Sequence, residues 1–232
     1  MNRTERDKQK TSAYLFDYGG TLDTGGQHWG NVLWQAWQKA GIPVSETLFR
    51  EAYVYAERAM ETRQLISPDD TFRQTLDVKL HLEMEYAGCP DYRQQVLDDV
   101  YALTCQHTAH SLNVLKQLAE RCPLVLVSNF YGNLHTVLKE FGLDGIFTHV
   151  VESAAIGVRK PDVRFFQKAI ELLEVQPAQT TMVGDSIGND IRPAQAAGCR
   201  TVWLRGQQWN NAPVDETLPD TIITDIEELL KA

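Results

Sequence analysis

The stretch Ala13-Tyr14-Leu15-Phe16-Asp17-Tyr18-Gly19-Gly20-Thr21-Leu22-Asp23 decides the fold. An apolar run feeds a carboxylate, Asp17, into a Gly-Gly turn. Such a run suits a strand buried on both faces, and open α/β sheets meet their ligands at the carboxyl ends of such strands. Three later segments repeat the arrangement. Leu124-Val125-Leu126-Val127 ends in Ser128-Asn129, whose hydroxyl and backbone N–H can both bond an anionic oxygen. Gly157-Val158-Arg159-Lys160-Pro161-Asp162 sets a lysine just before a proline suited to the first turn of a helix. Met182-Val183-Gly184 delivers Asp185, with Ser186-Ile187-Gly188-Asn189-Asp190 directly behind it.

Short apolar runs recur at 13–18, 123–129, 147–152, 180–185 and 200–205, with a weaker one at 221–224. Helical patterns follow at 132–141, 162–174, 188–198 and 225–231. This alternation predicts the α/β class, a parallel sheet covered on both faces. Residues 26–108 carry no convincing strand; Val32, Leu33, Ala36, Trp37 and Ala40 fall at helical spacing, as do Val96, Val100 and Leu103. Gly25-Gly26, Gly41-Ile42-Pro43 and Ser67-Pro68-Asp69-Asp70 punctuate this helical stretch.

The composition, 43% hydrophobic and 23% charged, is that of a globular chain with a core. A net charge of -9, with no basic run beyond Arg3 to Lys10, argues against nucleic acid or a membrane surface as partner. The cysteines at 89, 105, 122 and 199 are too scattered for a zinc site, and reduced buried thiols fit a cytoplasmic protein. No apolar run approaches the roughly 18 residues that a membrane span needs.

In order and spacing the four segments resemble the haloacid dehalogenase (HAD) superfamily, whose phosphatases open with D-x-D-G-T-L-x-D and later carry G-D-S-x-x-N-D. The gaps separating Asp17, Ser128, Lys160 and Asp185 are 111, 32 and 25 residues, room for one cap and then for single strand–helix units. The resemblance implies a Rossmann-like core over 1–24 and 109–232, with 1–11 a disordered tail, and an α-helical cap over 25–108. It implies a phosphatase in which Asp17 is the nucleophile, forming an aspartyl phosphate that water hydrolyses. Ser128 and Lys160 would hold the phosphate. Mg²⁺ would sit on Asp17, Asp185 and the Gly19 carbonyl, with Asp190 a further or supporting ligand; clustered carboxylates need such a cation, and hard oxygen donors suit this one. Gly20, Asn129, Arg159 and His28 are the expected substrate contacts, and a small phosphorylated metabolite the expected partner of a monomer or homodimer.

The match fails at Gly19, where the pattern has its second aspartate, the general acid and base. Such a group typically contributes about 10²–10⁴-fold, or roughly 3–5 kcal/mol of barrier. Three readings follow. The protein is a phosphatase acting on a good leaving group, or one that borrows an acid such as His28 from the cap. It is instead an impaired relative that binds a phosphorylated ligand. Or it is a dehalogenase, although those relatives carry tyrosine at position 19 and do without Mg²⁺. Phosphonatase relatives have a small residue there and need a cap lysine, for which Lys39 and Lys79 are available. Trp29, Trp34, Trp37, Tyr53 and Tyr55 read as cap core, and Arg58, Arg63 and Arg73 as surface charge or contacts to a second anion.

Overall fold

Strand β1 (Ala13–Phe16) is buried at every residue: β2 (Leu124–Ser128) and β4 (Thr180–Gly184) bond its two edges, and both of its faces pack into cores. The computed structural model describes residues 11–210 and 213–231. With β3 (His149–Glu152), β5 (Arg200–Leu204) and β6 (Thr221–Ile223) these strands form one sheet, ordered β3-β2-β1-β4-β5-β6, with every pair parallel. This is the parallel sheet that the alternating runs predict, in the Rossmann-like form that the resemblance implies.

Period-two alternation divides the strand side chains between two cores. Ala13, Leu15, Val125, Val127 and Met182 pack with Phe165, Phe166 and Ala169 of the helix Val163–Glu171. Tyr14, Phe16, Leu124, Leu126 and Val183 face the other way, onto Val114, Leu115 and Leu118. From β1 the chain builds outward to β2 and β3, and from β4 outward to β5 and β6. The reversal lies between β1 and β4, and open α/β sheets hold their ligands in the crevice at such a switch point. Asp17 and Asp185 are the residues that follow these two strands.

Four helices are inserted between β1 and β2: α1 (Trp29–Lys39), α2 (Glu46–Thr62), α3 (Phe72–Ala87) and α4 (Arg93–Ala119). Their ends follow local chemistry. Ser45 caps α2 by accepting from Leu48 N, Thr71 and Gln74 form a capping box on α3, and Gly88 (φ 71°) closes α3 in a left-handed conformation. The boundary expected at 109 falls inside α4, which runs unbroken from the insertion onto the sheet, where Ser111 Oγ donates to the Leu22 carbonyl at 2.8 Å. The loop after β5 fastens the start of the insertion. Gln207 O accepts from His28 N and Asn31 Nδ2, each at 3.0 Å, and the Arg50 guanidinium lies 4.1 Å from the Trp209 ring centroid.

The helix expected over 188–198 begins as a single π-turn, Ile187–Ile191, before Arg192–Ala196. Of the expected disordered tail, residues 1–10 lie outside the described residues. Among the described residues no helix is long and apolar enough to cross a membrane.

Candidate active site

Asp17, Ser128, Lys160, Asp185 and Asp190 all line one cavity of about 730 Å³ between the sheet's carboxyl edge and the helical insertion. Asp17 and Asp185 directly follow β1 and β4, while Ser128 is the last residue of β2. Lys160 Nζ lies 2.6 Å from Asp17 Oδ1 and 2.7 Å from Asp190 Oδ1, and all three groups are buried. Asn129 fixes the lysine from behind: its Oδ1 accepts from Lys160 N at 2.9 Å and its Nδ2 donates to Lys160 O at 3.0 Å. Thr21 Oγ1 ties the two strand ends together, donating to Asp185 Oδ1 at 3.0 Å and accepting from Asp185 N at the same distance.

The electrostatics are lopsided. Asp17, Asp185 and Asp190 each offer a carboxylate oxygen within 4.8 Å of the others, and among the described residues Lys160 is the cation bonded to two of them. Burial pushes Asp17 up to about 7 even though Lys160 opposes it. Burial, then the charges of Asp190 and Asp17, hold Asp185 well above the ordinary carboxylate range. Burial disfavours the Lys160 ammonium, but Asp17 and Asp190 outweigh it and keep the lysine charged. A second cation is what this donor set lacks, and all-oxygen donors fit a hard divalent ion. Asp190 is the least available of the three, because its Oδ1 meets Lys160 and its Oδ2 accepts from Ser186 N at 3.0 Å.

Residues 11–198 match the family model of haloacid dehalogenase-like hydrolases. The chain belongs to that family. It is 31% identical to haloacid dehalogenase-like hydrolase domain-containing protein 3 of Mus musculus over 205 residues, 83% of this chain and 81% of the relative. It is 26% identical to a phosphoglycolate phosphatase of Vibrio parahaemolyticus, covering 97% of this chain and 96% of the relative. Among solved structures, the putative HAD-hydrolase YfnB of Bacillus subtilis, bound to magnesium, superposes with a TM-score of 0.59 at 17% identity, covering 96% of this chain and 98% of that one.

Several expected substrate contacts are engaged elsewhere in this hydrolase. Gly20 (φ 93°) is required for close approach, since a Cβ there would lie 2.6 Å from Asp185 Oδ1, but its N–H donates to Asp23 Oδ1 at 2.7 Å and so cannot meet substrate. The Asn129 amide holds the Lys160 backbone, as described. Arg159 stands at the cavity rim, half exposed, bonded to Glu61 Oε1 of α2. His28 lines the cavity but caps α1, its Nδ1 accepting from Gly30 N at 3.0 Å, and it stacks on Trp209. Burial, followed by the charge of Lys79, lowers it to about 4, so near neutrality it carries no extra proton to give.

The insertion contributes a polar cluster that the sequence does not reveal. Lys79 of α3 lines the cavity, bonds Glu57 of α2 and lies 4.3 Å from the Tyr53 ring centroid; Tyr131 Oη donates to Glu57 Oε2 at 3.2 Å. Lys39 is exposed and paired with Asp99, away from the cavity. Arg58, Arg63 and Arg73 are not among the cavity's lining residues, whereas Trp29 and Tyr53 are. Below Lys79, Glu83 is fully buried with neither carboxyl oxygen bonded, and burial raises it to about 8 against the opposing charge of Lys79.

That shift has a sign. Between the ordinary value of 4.5 and about 8 the unfolded chain ionises Glu83 while the folded chain keeps it protonated, so its contribution to stability falls as pH rises through this window. Glu83→Gln should therefore melt close to wild type at pH 5 and above it at pH 8. Thermal melts of the two proteins across that range check this, and a constant difference would contradict it.

Proposed function

We propose that the protein is a Mg²⁺-dependent phosphatase that acts on a small phosphorylated metabolite through an aspartyl phosphate at Asp17. The observation that carries this reading is the Asp17–Lys160–Asp190 bridge beside Asp185. A buried nucleophile is held at the cavity by a lysine able to neutralise a phosphate, within a carboxylate cluster short of one cation. Asp17 and Asp185, with the Gly19 carbonyl, are the residues that would hold Mg²⁺, and Asp190 supports Lys160. Bound there, the ion supplies charge neutralisation for the carboxylates and the incoming phosphoryl oxygens. Lys160 and the Ser128 hydroxyl orient the phosphoryl group, and Asp17 Oδ attacks phosphorus as the ester oxygen leaves. The phosphatase named among the relatives and the magnesium named with YfnB support the reading.

The cavity volume is that of a small-molecule site, and Trp29, Tyr53, Phe72, Phe130 and Tyr131 give it aromatic walls. The side chain of the pattern's second aspartate is missing at Gly19. The impaired-relative reading differs in turnover rather than in binding. Phosphate release from acetyl phosphate, p-nitrophenyl phosphate and a panel of phosphorylated metabolites, with Mg²⁺ and with a chelator, separates the two. Mg²⁺-dependent release supports the phosphatase; saturable binding of a phosphorylated compound without release supports the impaired relative.

A further inference from the structure

The carboxyl group absent at position 19 is present nearby on a different residue. A Cβ at Gly19 would meet nothing closer than Trp29 Nε1 at 3.8 Å and Trp29 Cδ1 at 3.9 Å, so a side chain there would point at that indole. The same indole N–H donates to Asp23 Oδ2 at 3.1 Å. The turn closed by Leu22 N on the Tyr18 carbonyl, at 2.8 Å, brings Asp23 back onto the backbone N–H of Gly20, the residue after Gly19. Asp23 Oδ1 accepts from Gly20 N at 2.7 Å, so both carboxyl oxygens are fixed. Asp23 is 1% exposed, yet it lines the cavity together with Asp17, Gly19 and Trp29. Gly20 N bonds one of its oxygens and the Trp29 indole the other, and a carboxyl with about four lone-pair sites still has room for a proton.

Resting on the phosphatase reading, we infer that Asp23 is the general acid and base of this site, replacing the aspartate that Gly19 lacks. As Asp17 Oδ bonds to phosphorus and the P–O ester bond breaks, the leaving oxygen takes the Asp23 proton and departs as the alcohol. The Asp23 carboxylate then takes a proton from the water that attacks phosphorus of the aspartyl phosphate. Inorganic phosphate leaves, the Asp17 carboxylate is restored and Asp23 is protonated again. Burial suits Asp23 to hold that proton: it raises the carboxyl to about 8 against the Gly20 N–H, with the Asp17 charge adding to the rise. Other groups at the cavity are less suited, His28 being neutral and Glu57 bonded to Lys79 and Tyr131.

A series of substituted phenyl phosphates, from p-nitrophenyl to unsubstituted phenyl, varies the leaving group at nearly constant shape. In Asp23→Asn, kcat/KM, which reports phosphoryl transfer to Asp17, should fall about 10²–10⁴-fold on phenyl phosphate and much less on p-nitrophenyl or acetyl phosphate, while kcat falls on all of them as hydrolysis of the shared aspartyl phosphate slows. Gly19→Asp placed in the Asp23→Asn background should recover much of the loss on phenyl phosphate, since position 19 has room for a side chain. If Asp23→Asn folds poorly, Asp23→Ala with added formate gives the same readout, formate restoring the poor substrate preferentially. An equal loss of kcat/KM on every substrate, marking a merely structural residue, overturns the proposal, as does no loss at all. Release that requires Asp17 but ignores Asp23 leaves the phosphatase reading standing without it. No release from any substrate by wild type overturns both.

Discussion

Replacing Lys160 by methionine is expected to lower stability and turnover together, and more at pH 8 than at pH 5. The ammonium bonds Asp17 at 2.6 Å and Asp190 at 2.7 Å in a fully buried setting, and it is the cation bonded among three carboxylates. Removing one partner from a buried ion pair typically costs about 3–5 kcal/mol, because the stranded charge cannot be resolvated. For a chain of this length that corresponds to a drop on the order of 10 °C in melting temperature. Protonating the carboxylates relieves part of the strain, which is why the loss grows with pH. Protonation of Asp17 also removes the nucleophile, so phosphate release should fall by about 10³-fold or more. Mg²⁺, if it binds these carboxylates, should raise the melting temperature of Lys160→Met by more than that of wild type. Scanning fluorimetry with and without Mg²⁺ measures each effect, and an unchanged melting temperature would contradict the account.

Asp17→Asn separates chemistry from folding. The amide keeps the shape of the carboxyl, cannot form an aspartyl phosphate and removes one of three like charges packed within 4.8 Å. Phosphate release should fall by roughly four orders of magnitude or more, as when a nucleophile is removed from other hydrolases. The melting temperature should stay the same or rise, since burial disfavours the Asp17 charge that the variant lacks. A variant that retains more than about a hundredth of wild-type release would point to another nucleophile, because loss of general acid–base help alone accounts for that much.

The sheet was legible because its strands are buried on both faces, so each appears as an apolar run with a turn behind it. The same property made Asp17, Ser128 and Asp185 legible, since each ends such a run. The length of α4 was not legible: the helical pattern weakens around 109, while Thr104, Thr108 and Ser111 are buried polar residues that interrupt an apolar stripe inside a continuous helix. The Lys79–Glu57–Glu83 cluster was hidden for a related reason. A buried ion pair is written in charged letters, and those letters normally mark a solvated face. Sequence reasoning offered His28 as an acid without seeing that it caps α1, because bonding partners do not show in a string of residues. One signal was present. Asp23 stands one residue before the last aspartate of D-x-D-G-T-L-x-D, where this chain has Thr24, so the motif departs from the pattern twice and both departures concern a carboxylate.

The most direct test is to stop a reaction with acetyl phosphate and Mg²⁺ by acid and map the phosphoryl group by mass spectrometry. The account predicts a labile phosphoryl group on the peptide containing Asp17, absent from Asp17→Asn and accumulating in Asp23→Asn as hydrolysis slows. Phosphate release without any phosphorylated peptide, or with the group on another residue, would contradict it.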